Sequence, residues 1–176
     1  MKSALPILDA LRAATAEDHQ RLESATLGDR IMDGSLSLPE YRRILEWQRR
    51  SHALLEPSVA DFAAGEYAYR RRFPAPAGAP PPEKVDRATV IGIIYVLEGS
   101  SLGGSLIYRK LQDNPALASA APFSFYRDQA DWGLQQWRSF LAYLRQATFT
   151  EEEIERATAS ARDAFGRFTT EWRGVA

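Results

Sequence analysis

The stretch Val96–Leu111, VLEGSSLGGSLIYRKL, constrains the fold of this chain more than any other. Its apolar residues recur with helical spacing, yet it carries Gly99, Gly103 and Gly104. Each interior glycine costs a helix about 1 kcal/mol relative to alanine, so this helix accepts roughly 3 kcal/mol of local penalty. Val96, Gly99, Ser100, Gly103 and Ile107 share an arc of about 100° on a helical wheel. The centre of that face has almost no side chain. Two readings stay open: close packing of one helix on another, or close approach of bare main chain to a flat ligand.

A second helical segment bears on the choice. LRAATAEDHQRLE, Leu11–Glu23, puts Arg12, Thr15, His19 and Glu23 within about 80° of one another. His19 and Glu23 are four apart and therefore neighbours on the helix surface. A carboxylate that accepts one imidazole N–H fixes the tautomer and strengthens the other ring nitrogen as a metal ligand. Arg12 precedes His19 by seven residues, about 10.5 Å along the axis. That span suits one group on a metal at the middle of a large planar ligand and another on a carboxylate at its rim. Alone, a helix histidine beside a glutamate is a surface ion pair. Together, an imidazole helix and a glycine helix suggest a haem held between them.

The rest of the pattern is helical. A first helix is expected over about Leu5–Ala25. Gly28 and Gly34 punctuate the next stretch. Ser37 and Glu40 form a capping box that opens a long helix to about Ala64, bent near Pro57. Phe73–Lys84, with five prolines, is a surface loop. The glycine helix spans about Val85–Leu111, and Asn114–Phe125 reads as a loop with a short turn. An amphipathic helix follows over Asp128–Gln146. Thr150 and Glu153 form a second capping box, and the last helix runs to about Trp172. Strand-like alternation is nearly absent. The expected fold is an all-α, single-domain helical bundle over residues 1–176.

Composition narrows the chemistry. Cysteine is absent, which excludes disulfides, zinc–thiolate sites, cysteine nucleophiles, iron–sulfur clusters and thiolate-ligated haem. The net charge of −1 gives no global field toward nucleic acid or an anionic membrane. The apolar stretch at the N-terminus is short and broken by Pro6, Asp9 and Arg12, so no signal peptide is read. No apolar run is expected to reach the length of a membrane span, and a cytoplasmic protein follows.

The segment LRAATAEDHQRLE resembles the proximal-helix motif of haem oxygenases, LxxATxxxHxxxE. YVLEGSSLGGSLI, Tyr95–Ile107, resembles their distal helix, particularly in bacterial members associated with phytochromes. GSLSLPEYRRIL and LLEP are weaker matches, and segment order and length fit across nearly the whole chain. The resemblance implies that His19 is the proximal iron ligand and Glu23 its hydrogen-bond partner. It implies that Gly99, Gly103 and Gly104 let the distal main chain lie against the haem, leaving room for dioxygen only in a bent pose. Arg12 stands where the family has a basic residue for a haem propionate. Arg162, in SARDAF, and Tyr95 fall near further propionate-facing positions. The implied reaction opens haem to biliverdin, carbon monoxide and ferrous iron, with haem as both cofactor and substrate. Electrons would come from a ferredoxin, flavodoxin or reductase, and a bacteriophytochrome is a possible bilin acceptor. One departure is plain: vertebrate members carry an aspartate where this chain has Ser100. A hydroxyl orients water but is a poor proton reservoir.

Other readings compete. A haem carrier or sensor would keep the same pocket without turnover. Thiaminase-like bundles share the architecture but rely on a catalytic cysteine. His52 is read as structural, and Trp47, Trp132, Trp137 and Trp172 as core. Arg49, Arg50 and Arg70–Arg72 form either a solvated basic face or a dock for an acidic electron donor.

Overall fold

A computed structural model describes residues 5–82 and 84–176; the start of the chain considered above as a possible leader lies partly outside them. Among the described residues the chain forms seven α-helices and one short hairpin. The helices are α1 (Pro6–Ala25), α2 (Gly28–Met32), α3 (Leu38–Leu55), α4 (Arg87–Ser100), α5 (Gly104–Gln112), α6 (Ser124–Gln146) and α7 (Glu151–Gly174). The hairpin pairs β1 (Ala63–Ala64) with β2 (Tyr67–Ala68), antiparallel. The architecture is the all-α one expected.

Both capping boxes form. Ser37 Oγ accepts from the Glu40 amide while the Glu40 carboxylate accepts from the Ser37 amide. Thr150 and Glu153 do the same for α7. Each satisfies donors that a helix start leaves orphaned.

Helix α4 is apolar nearly all round, as a central helix must be. Ile91, Ile94 and Leu97 are fully buried. It lies along α7, whose facing residues Ala157, Ala161 and Ala164 are small and fully buried. Gly92 completes the fit: a Cβ there would stand 2.7 Å from Ser160 Cβ and 2.8 Å from the Ala161 amide nitrogen. Ser160 Oγ donates to the Thr89 carbonyl at 2.6 Å, and Arg87 pairs with Glu153 at 2.8 Å. On its other flank α7 carries α1. It also carries α3, through Trp47, whose Nε1 donates to the Phe168 carbonyl at 2.7 Å.

Three expectations need correction. The helix begun at Ser37 ends at Leu55, not near Ala64; a 3-10 turn (Glu56–Ser58) and the hairpin follow. Pro57 has no N–H to continue the ladder. Buried Glu56 is also claimed from outside the helix, by the Tyr69 hydroxyl at 2.9 Å and the Arg72 amide at 2.6 Å. Helix α6 starts at Ser124, four residues early, after Phe123 in the left-handed region. And Arg87–Gln112 is, by length and composition alone, apolar enough to cross a membrane. More than half of that apolar stretch is buried within the protein, as in a core helix.

Candidate functional site

The glycine helix does not run straight through. α4 ends at Ser100, Ser101–Gly103 form a 3-10 turn, and α5 begins at Gly104. The hydroxyls of Ser100 and Ser101 both donate to the Leu97 carbonyl, at 2.8 and 3.3 Å, and take up an acceptor near the break. A 3-10 stretch inside a long helix marks strain or function.

The glycines divide into two kinds. Gly92 and Gly104 are packing glycines: a Cβ on Gly104 would be jammed against Gln129 of α6. Gly99 and Gly103 are not. A Cβ on Gly99 would meet only Trp137, at an ordinary 3.9 Å, and one on Gly103 only Ile107 of its own helix, also at 3.9 Å. Gly103 has an ordinary helical φ of −82°. Neither packing nor backbone conformation explains the missing side chain at these two positions. Leu102 and Leu106 beside them are large apolar residues left 46% and 45% exposed. The result is a strip of exposed apolar surface with bare main chain in it. Ser100 is exposed at its edge, its hydroxyl hydrogen committed to Leu97. Tyr95, half-buried, has its ring 6.0 Å from that of Trp137.

On α1, Leu11 and Thr15 face the core, and the Thr15 hydroxyl donates back to the Leu11 carbonyl at 2.8 Å. That hydrogen bond is local to the helix, and the side chain is buried. His19 is 62% exposed, with Nδ1 3.7 Å from a Glu23 carboxylate oxygen. Its ring meets Phe165 of α7 edge-on, centroids 6.1 Å apart. This orientation turns Nδ1 toward the carboxylate and leaves Nε2 as the ring nitrogen that could ligate a metal. Arg12 is exposed on the same helix. Arg162, one turn before Phe165 on α7, pairs with Asp18 at 3.4 Å and is itself 64% exposed. His19, Asp18, Arg162 and Phe165 thus form one cluster across α1 and α7. α4 rests on the same α7, which brings the two candidate faces onto a shared support. Two open surface depressions lie elsewhere. One, of about 520 Å³, is lined by Glu17, Gln20, Arg21, Ser24 and Ala25; the other, of about 200 Å³, lies between the hairpin and α6.

His52 is fully buried among Phe73, Phe125 and Phe168, with Nδ1 2.7 Å from the Gln48 carbonyl, which fits the structural role read for it. The arginines considered as a docking face are engaged. Arg49 and Arg50 hold Glu46, Arg71 reaches Glu56, Arg70 stacks on Trp132, and Arg72 is buried against Glu98 at 2.8 Å. Sequence patterning passed over Phe165 and Glu98. Phe165 has the spacing of an ordinary core residue. Glu98 did leave a signal, as a lone carboxylate closing the apolar run Val90–Leu97.

Comparison with known proteins bears on this geometry. The family profile described as Heme oxygenase matches residues 81–173, from the loop before α4 through nearly all of α7. A "Heme oxygenase" of Xanthomonas campestris is 32% identical, over 78% of this chain and 91% of its own length. "Heme oxygenase PigA" of Pseudomonas aeruginosa is 31% identical, over 90% of this chain and 87% of its own. No solved structure matches significantly.

Proposed function

The chain belongs to the haem oxygenase family and is an oxidoreductase; from that premise we propose that it opens haem to biliverdin, carbon monoxide and ferrous iron, as a single haem-oxygenase-like domain acting in the cytoplasm. The observation that carries the reading is the pair Gly99 and Gly103, whose missing side chains neither packing nor conformation requires. Main chain without Cβ atoms, flanked by exposed Leu102 and Leu106, suits the face of a porphyrin. The exposed His19 with its carboxylate neighbour suits the iron.

When bound, haem supplies the iron at which oxygen is activated and the ring that is cleaved. The residues around it have separate tasks. His19 holds the iron through Nε2, and Glu23 orients the ring and raises its basicity. A neutral imidazole, unlike a thiolate, does not push electron density toward breaking the O–O bond. Arg12 and Arg162 pair with the propionates, each able to bind a carboxylate in bidentate fashion, and Tyr95 borders the same edge. Thr15, buried and bonded to Leu11, would support the haem side of α1 from the core, without reaching the ligand itself. Gly99 and Gly103 let the distal segment lie close to the ring, while Gly104, read from the motif as a third such glycine, instead seats α5 against Gln129 of α6 and holds that segment in place. The Ser100 hydroxyl gives its hydrogen to Leu97, so its lone pairs remain to accept from a distal water. That water, held also by backbone carbonyls, is the proton carrier in place of a carboxylate. A ferredoxin, flavodoxin or reductase supplies electrons, and a bacteriophytochrome is the proposed bilin acceptor, on the strength of the distal motif.

The test is spectroscopic. Haem added to the purified protein should give a Soret band of histidine-ligated haem. Ascorbate or a reductase system should then replace it with a biliverdin spectrum. A stable reduced-haem spectrum would make the protein a carrier instead.

A further inference from the structure

Behind the break in the distal helix lies a buried polar cluster that the chemistry above does not use. Glu98 is the last residue before Gly99, and it is fully buried. Its carboxylate accepts from three elements. The Tyr67 hydroxyl of the hairpin donates at 2.7 Å, and Arg72 of the following loop donates through Nη2 at 2.8 Å and Nη1 at 3.4 Å. Gln136 of α6 donates at 3.4 Å. The same Arg72 Nη2 donates to Ser101 Oγ at 3.3 Å. Arg72 therefore holds the residue before Gly99 and the residue after Ser100 at once. From α6 the turn is met by glycine: a Cβ on Gly133 would stand 3.2 Å from both the Cβ and the carbonyl oxygen of Ser101.

A buried ion pair is a poor way to gain stability, since desolvation offsets most of the attraction. What it does well is fix geometry, because each partner left alone is a buried uncompensated charge. The Glu98 side chain leaves the helix about 100° from Gly99. The cluster thus grips the segment from behind and does not enter the face that meets the ligand.

We infer that Arg72, Glu98 and Tyr67 are positioning residues for haem cleavage: they set the break in the distal helix and so how near the main chain of Gly99 and Gly103 comes to the haem. This rests on the haem oxygenase reading. Displacing a reacting geometry by about 1 Å can cost on the order of 100-fold in rate, and a loosened clamp is a means of such displacement.

The experiment uses the haem-loaded protein with three variants: Arg72→Lys, Tyr67→Phe and Ser101→Ala. Arg72→Lys keeps the charge but loses the fork that spans Glu98 and Ser101. Tyr67→Phe removes one hydrogen bond and Ser101→Ala two long ones, each with little change in volume, so at least these should fold. Ile44→Val, in the α3 core, controls for lost stability. The readouts are the haem dissociation constant, the infrared C–O stretch of carbon monoxide added to the reduced protein, and the fraction of supplied electrons recovered as ring-opened product. The expected result is a shifted or broadened C–O band and lower electron recovery in the clamp variants. Haem affinity should stay within about twofold, because His19 is untouched. Ile44→Val should lower Tm alone. Folded clamp variants with the native C–O band and native electron recovery would overturn the proposal. Failure of the native protein to bind haem would overturn the proposed haem-cleaving function beneath it, a distinct outcome.

Discussion

A Cβ built on Gly104 would stand 2.5 Å from the Cβ of Gln129, whereas one built on Gly103, its chain neighbour, would meet nothing closer than 3.9 Å. Two adjacent glycines in one motif therefore have different causes. Gly104 is required by the approach of α5 to α6, and Gly103 is required by nothing in the protein itself.

The two should respond oppositely to alanine. Gly104→Ala overpacks the α5–α6 contact and should destabilise the protein by about 1–3 kcal/mol. Gly103→Ala should be neutral or stabilising by up to about 1 kcal/mol, because alanine loses less backbone entropy. Yet Gly103→Ala should weaken haem binding or turnover, since the new methyl enters the exposed strip. Urea unfolding without haem and a haem titration separate the two effects. A Gly103→Ala protein with native haem affinity and turnover would remove the main support for the distal face.

His19 is mostly exposed, so His19→Ala should leave stability without haem within about 0.5 kcal/mol of native. With haem, the histidine-ligated spectrum and the turnover should both be lost. Glu23→Gln should keep ligation but weaken it about 10- to 100-fold, the usual effect of removing a ligand's hydrogen-bond partner. Absorption titrations of both variants decide the ligand assignment. Turnover at the native rate by His19→Ala would show it to be wrong.

Arg12 and Arg162 are assigned to haem carboxylates, and haem dimethyl ester lacks those charges. Arg12→Ala and Arg162→Ala should each weaken binding of haem while leaving binding of the ester nearly unchanged. The exposed Arg162–Asp18 pair contributes at most about 1 kcal/mol to the fold, so Arg162 can exchange partners at little cost. Asp18→Asn, which frees Arg162, should leave haem affinity equal or tighter. Equal loss of both ligands in the arginine variants would point to packing alone.

Burial holds the His52 imidazole down at about 3, far below its ordinary value of 6.5, so the native state keeps it neutral. Between those values the unfolded chain takes up a proton that the native chain refuses. Stability from this residue is thus complete above pH 6.5 and falls as pH drops, by about 1.4 kcal/mol per unit. His52→Phe should flatten that dependence between pH 6.5 and 5, at the cost of the hydrogen bond to Gln48. Denaturant midpoints at those pH values measure it. An unchanged slope would mean that other groups dominate acid sensitivity.

What the sequence determined by itself is what acts over a few residues. The capping boxes at Ser37 and Thr150 join groups three apart, and the His19–Glu23 pair joins groups four apart on one helix. These are readable because helical geometry fixes such neighbours whatever surrounds them. Apolar periodicity likewise announced the long helices α1, α3, α6 and α7, though not short α2 or the break between α4 and α5. The tertiary structure decided what depends on partners from elsewhere in the chain. Only the approach of α6 and α7 separates the packing glycines, Gly92 and Gly104, from the open ones, Gly99 and Gly103. The end of α3 at Leu55 follows in part from Tyr69 and Arg72 claiming Glu56, and Arg72 finds Glu98 across 26 positions. Spacing along a helix says which way a residue faces, but what it meets there is set by how the helices pack.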